Sequence, residues 1–211
     1  MQVFTDCWGV FRQNIMAALN DYHRTRVIDA SMIETLVCLI PKNSKACKVS
    51  HFCPISLVSS LYKTISKVLV RRLRHVVGST VALEQGAFME GHQLTYLVLI
   101  ASESVEEYRH KKKAGFVLKL DLAKAYDHVD WLFLDYVLMK KGIGAIWRKW
   151  IYGCISSVSF SVLINGKPQP RFATTRGMCQ GCSLSPFLFI IVANVFSRMM
   201  KMFIYLPPPF H

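Results

Sequence analysis

Residues Gly115 to Val129 read GFVLKLDLAKAYDHV, and this stretch constrains the fold more than any other. Phe116, Leu118 and Leu120 alternate with Val117, Lys119 and Asp121, so the two sets point to opposite faces of a strand. A basic run, His110 to Lys113, precedes it and needs solvent. The expected strand ends on Asp121, on the face away from the Phe116–Leu120 row. A carboxylate at a strand end beside a cleft is a common place to hold a metal ion. The plainer reading is a helix N-cap or a solvated acid, and this stretch alone favours it.

Three further stretches change that. They are Leu39-Ile40-Pro41-Lys42, then Phe52-Cys53-Pro54-Ile55-Ser56-Leu57, then RGMCQGCSLSP from Arg176 to Pro186. Together with LKLDLAKAYDHVDW they resemble, in the same order, the motifs of a reverse transcriptase of the non-LTR (LINE-type) retrotransposon kind, as found in plant genomes. The resemblance runs from about Phe4 to about Met200. It implies an α+β fold: part of the fingers and most of the palm of a right-hand polymerase, with helices packed on a small antiparallel sheet and the thumb absent. Residues 1–35 would be an N-terminal helical extension, 36–203 the incomplete fingers–palm region, and 204–211 an unrelated tail.

The bulk numbers agree with a nucleic-acid partner. The chain has 211 residues, 52% of them hydrophobic, enough to bury a sizeable core in one domain or two small ones. Lysine and arginine number 26 against 13 acids, a net charge of +13, which favours a polyanion. The start, MQVFTDCW, has no charged region followed by an apolar one, so no secretory signal is expected. Seven cysteines in a reducing compartment are expected to be free thiols. The most membrane-like run, Phe187 to Phe196, reads as a buried core helix.

In chain order, Trp8 to Tyr22 reads as an amphipathic helix with Phe11, Ile15, Leu19 and Tyr22 on one face. Thr35 to Ile40 is a β-type run stopped by Pro41. A second helix, about Ser60 to Val76, carries Leu61, Ile65, Val68, Leu69 and Leu73. A third, Leu94 to Tyr108, carries Leu94, Leu97, Ala101, Val105 and Tyr108, a stripe read as core. Asp130 to Lys141 follows, with Asp130 or Asp127 as N-cap and Lys140-Lys141-Gly142 as its end. Ile146 to Cys154 is helical, and Val158 to Ile164 is a strand. Asn165-Gly166 is a two-residue hairpin turn, and the return strand carries Arg171 to Thr174. Ser185 and Pro186 read as N-cap and first residue of a last helix running to about Met202.

What the resemblance implies for the site is as follows. Asp121 is the first metal ligand, catalytic, with help from the backbone carbonyl of Leu122, and Mg²⁺ is the ion. Tyr126 is the ring under the sugar that excludes a 2′ hydroxyl; otherwise it is a core tyrosine. Gln180 touches the incoming nucleotide or template backbone, and Gly181 lets the chain pass close to the base pair. Lys42 is either a triphosphate contact or a solvated hairpin tip. Lys119, Arg176 and Gln85 are nucleic-acid contacts. The partners are an RNA template, a DNA primer and deoxynucleoside triphosphates, with no membrane.

Four departures stand against activity. There is no Asp-Asp pair, and no acid at all after Asp135; the thumb is not represented. Cys53 stands where the family has an arginine, and a thiol does not pair with a triphosphate. Cys179 and Cys182-Ser183 replace an arginine and an aspartate-proline, with His92 and Asn194 further replacements of the same kind. Cys179-x-x-Cys182 has too few ligands for a structural zinc site and lacks a thioredoxin-like context. The expectation is a reverse transcriptase domain without polymerase activity, intracellular in nucleus or cytoplasm. The rival readings are a non-catalytic RNA- or DNA-binding remnant and a non-functional pseudogene product.

Overall fold

The computed structural model describes residues 6–29, 33–81, 85 and 93–205. Helix α1 spans Trp8–Thr25, three residues beyond the expected end. It stops where Arg26 turns left-handed (φ 64°) and its N–H returns to the Tyr22 carbonyl at 2.8 Å. Phe11, Ile15 and Leu19 are half-buried and Tyr22 is buried, so the four-residue stripe does face the protein.

Strand β1 is Glu34–Pro41 and β2 is Phe52–Leu57. They pair antiparallel, from Leu36 opposite Leu57 to Pro41 opposite Phe52. Ile33, Thr35 and Val37 are buried at every second position, the period of a strand with one covered face. Strand β3 is Ser159–Ile164, and Asn165 and Gly166 turn it with φ of 51° and 76°, as a two-residue hairpin requires. The return is split into β4, Lys167–Pro168, and β5, Phe172–Ala173, both antiparallel to β3. The other edge of β3 pairs parallel with β1, Glu34 opposite Ser159 to Val37 opposite Val162. The sheet is therefore mixed where an antiparallel one was expected. Its single parallel join brings together segments more than a hundred residues apart in the sequence.

Helices α2 (Ser60–Val77), α4 (Trp131–Lys140), α5 (Ala145–Ser156) and α6 (Leu184–Tyr205) enclose the core. Ser59 caps α2 by accepting the Tyr62 N–H at 3.2 Å, and Asp130 caps α4 by accepting the Phe133 N–H at 2.7 Å. Gly142, at φ 81°, ends α4 as expected. α6 packs on α2 and α4, and α4 on α5. By length and composition α6 is apolar enough to cross a membrane. Its Leu184, Phe187, Leu188, Ile190 and Ile191 are buried in this core.

Two expectations fail in neighbouring stretches of the chain. Helix α3, Leu94–His110, forms as expected, but Ala101 and Tyr108 are exposed and only Leu97 and Val105 are half-buried, so its stripe is not core. (The Leu94 side chain lies outside the described set.) The expected strand at Phe116–Asp121 is absent. Residues 111–124 are all exposed, with Phe116 at 92%. Alternation specifies a strand only where a neighbouring strand takes its main-chain hydrogen bonds, and none is described beside this segment. The tail 206–211, His92 and the Gly86-Ala87-Phe88 stretch lie outside the described residues.

Candidate functional site

Three segments that are distant in sequence are stitched together by their main chains. The turn Ala123–His128 follows Asp121, the loop Arg176–Ser183 precedes α6, and β2 lies across from that loop. Met178 N–H donates to Tyr126 C=O at 3.0 Å, and Gly177 N–H to Val129 C=O at 2.8 Å. Trp131 Nε1–H closes the same corner on Gly177 C=O at 2.7 Å. On the other side, Ser56 N–H donates to Gln180 C=O at 3.0 Å. The loop thus bridges the end of β2 and the turn carrying Tyr126 and Asp127.

Gly181 makes this crossing possible. Its φ is +109°, and a Cβ there would lie 2.7 Å from the Ser56 carbonyl oxygen. Only glycine combines that backbone with that approach.

Beneath the bridge lies an open cavity of about 440 Å³, whose lining includes Ser56, Tyr62, Asp127, Arg176, Cys179 and Gln180. Tyr62 is buried, and its hydroxyl donates to Cys154 C=O at 3.1 Å. Burial first, then the nearby thiols, raise the Tyr62 pKa well above its ordinary value. Tyr126 is half-buried against the Phe189 ring, centroids 5.1 Å apart, and burial raises its hydroxyl pKa. Cys53 Sγ points its weak donor at Gln180 Oε1, 3.9 Å away.

The expected site residues therefore divide. Gln180, Gly181, Arg176 and Tyr126 belong to one constellation, the first three on its loop and the last on its turn. Asp121, Leu122 and Lys119 lie on the exposed 111–124 segment and do not line the cavity; Asp127 does. Lys42 sits just past β1, its Nζ donating to Ser50 C=O at 3.3 Å across the β1–β2 hairpin. Gln85 is half-buried between stretches outside the described residues. The α2 stripe holds at Ile65, Leu69 and Leu73, but its first buried position is Tyr62, which sequence reasoning passed over for its apolar neighbour Leu61. The buried set is Tyr62, Ile65, Leu69 and Leu73, whereas Leu61 is half-buried and Val68 exposed.

Magnesium takes hard oxygen ligands, and a pair of ions needs several carboxylates. Among the described residues no group of three or more acidic, histidine or cysteine side chains is arranged to hold a metal ion. The donor set present does not fit such a pair. Asn194, where the resemblance leads to an aspartate, is buried; its Oδ1 accepts from Lys141 Nζ at 3.4 Å and its Nδ2 has no partner. Burial, then Arg198, lowers the Lys141 pKa.

Comparison with known proteins supplies what the geometry alone does not. The pattern of the reverse transcriptase (RNA-dependent DNA polymerase) family matches residues 40–206. A "Retrovirus-related Pol polyprotein from type-1 retrotransposable element R2" of Popillia japonica is 30% identical over 74% of this chain and 22% of its own length. The corresponding polyprotein of Nasonia vitripennis is 26% identical over 92% of this chain and 19% of its own. A "Transposon TX1 uncharacterized 149 kDa protein" of Xenopus laevis is 23% identical over 95% of this chain and 15% of its own. The chain thus spans less than a quarter of the length of these curated relatives. With the family pattern running from β1 to the end of α6, through both the bridging loop and the turn beneath it, the chain belongs to the reverse transcriptase (RNA-dependent DNA polymerase) family.

Proposed function

We propose that these residues are the fingers and palm of a degenerate reverse transcriptase from a non-LTR, LINE-type retrotransposon of plant origin, and that as they stand they do not polymerise DNA. The observation that carries this is a division within the site. The loop with Gln180 and Gly181 is fastened to β2 beside Tyr126, the side expected to meet a nucleotide. The carboxylate side is not assembled: Asp121 is exposed on a segment that does not line the cavity.

In this reading Tyr126 and Gln180 face the sugar and the incoming nucleotide, and Gly181 keeps the backbone low beneath the base pair. Lys42 reaches the triphosphate from the β1–β2 hairpin, and Arg176, Lys119 and Gln85 meet the phosphates of template and primer. Residues 1–35 serve as a helical extension, 36–203 as the catalytic fold and 204–211 as a tail foreign to it. Asp121 and the Leu122 carbonyl are the remnant of a magnesium site. The chain works, or once worked, inside the cell, in nucleus or cytoplasm.

The test is primer extension on an RNA template with Mg²⁺ or Mn²⁺, comparing the chain with Asp121→Asn. No extension from either is the expected result. Extension by the parent that Asp121→Asn abolishes would overturn the proposed inactivity.

The +13 charge supports a second reading, a binding protein that retains the template surface without the chemistry. Its affinity for single-stranded RNA would then fall steeply with salt, as counterion release requires.

A further inference from the structure

A second open cavity, of about 540 Å³, shares no lining residue with the first. It follows one face of α5, where Ala145, Arg148, Lys149, Tyr152, Gly153 and Ser156 recur at helical spacing. Arg26, just past α1, and Asp135 of α4 also line it. The end of α1 is fastened to α5. Tyr22 OH donates to Trp150 C=O, and Trp150 Nε1–H donates to His23 C=O at 3.3 Å. Gly153 lets the Arg26 carbonyl rest directly on α5, since a Cβ there would lie 1.8 Å from that oxygen. Arg26 therefore has a fixed place beside the helix that carries Arg148 and Lys149.

The charge around this cavity is not balanced. Three cations, Arg26, Arg148 and Lys149, share it with one carboxylate, Asp135. Arg148 takes that carboxylate: its Nη1–H donates to Asp135 Oδ2, and at 3.4 Å to the Asp135 C=O. Among the described residues the side chains of Arg26 and Lys149 have no hydrogen bond or ion pair. Arg26 and Arg148 are half-buried, and the Nε of each is buried without a partner. Withdrawing a guanidinium from water with donors unmet and no counter-charge is costly. A bound anion is one of the usual reasons that folded proteins keep such groups.

We propose that this groove binds a phosphate monoester, held by Arg26 and Arg148, with Lys149 adding charge. With Asp135 spent on one cation, two positive charges remain. A monoester carries close to two negative charges at neutral pH, where a carboxylate or a strand's internal phosphate carries one. Planar guanidinium forks match phosphate oxygens better than an ammonium does, which suits a site built on two arginines. The ligand is a free phosphate ester or the 5′-phosphate at the end of a strand, since both offer the same group. Arg26 follows α1 and Arg148 belongs to α5, so a bound phosphate bridges the two and strengthens their docking.

The experiment titrates the whole chain with inorganic phosphate in physiological KCl, read by phosphorus NMR line broadening and by the urea midpoint. Saturable binding at one site and a midpoint that rises with phosphate are expected. Arg26→Lys and Arg148→Lys keep the net charge and lose the fork, and each should weaken binding roughly tenfold. Arg26 has no side-chain partner to lose, so its variant decides the matter if Arg148→Lys proves unstable. Lys63→Gln, on the exposed face of α2, lowers the net charge away from the groove and should leave binding unchanged. No saturable binding, or equal binding in the parent and both lysine variants, would overturn the proposal. A nucleoside monophosphate and a 5′-phosphorylated RNA strand then compete with inorganic phosphate, and the better competitor is the source. A 5′-hydroxyl strand that competes as well as the phosphorylated one would overturn the assignment to a monoester.

Discussion

At the scale of single residues, the site depends on one missing side chain. Gly181 sits where the loop crosses the Ser56 carbonyl, at a φ that L-residues rarely adopt. Gly181→Ala meets both the backbone strain and the carbonyl, and should destabilise the chain by about 2 kcal/mol or more. Gly9 is the control: it lies in the first turn of α1, and a methyl group added there would meet nothing within 4 Å. Gly9→Ala should be neutral, or stabilising by about 0.5 kcal/mol. Urea unfolding midpoints of the two variants, against the parent, measure both.

At the scale of elements, α2 is pinned to α5 and to the bridging loop through the Tyr62 hydroxyl, which donates to Cys154 C=O and lies beside Cys179. The consequence is a pH dependence. An unfolded tyrosine loses its proton near 10.0, while buried Tyr62 and Tyr22 keep theirs to higher pH. Above that point the folded state binds more protons than the unfolded one, so stability falls as pH rises. Cys154, raised by burial from 9.0, begins the same loss about a unit earlier. Lys141, lowered from 10.5, opposes it. Urea midpoints should fall steeply between about pH 9 and 11. Tyr62→Phe should lose about 1 kcal/mol at pH 7 and show a shallower alkaline fall. The elements also mark where sequence reading succeeds. Asp130 capping α4, Asn165-Gly166 turning β3 and the apolar face of α6 were legible because each rests on neighbours within a few residues. The parallel join of β1 to β3 was not, because its partners are remote in the chain. Nor was the exposure of α3 and of Phe116–Asp121, since periodicity reports that a face is apolar and not what covers it. Of the site, Gln180, Gly181 and Tyr126 were readable as motif positions. Tyr62 and Ser56 came only from packing.

At the scale of the whole molecule, two surface properties oppose each other. The charge of +13 drives copies apart and draws polyanions in. The apolar side chains of Phe116, Val117, Leu118, Leu120 and Leu122, all more than half exposed, draw copies together. Salt screens the first and leaves the second. Light scattering should therefore show self-association growing with KCl while RNA affinity weakens over the same range, and Leu118→Lys should suppress the growth without changing the fold. Association that falls with salt would contradict this. The bare segment is also a β-prone run with free main-chain donors and acceptors, the kind of template on which cross-β stacking starts. It follows that the protein has a concentration ceiling set by about seven residues, and that a polyanion at low salt, by holding each copy inside a negatively charged complex, should act as a solubiliser during purification.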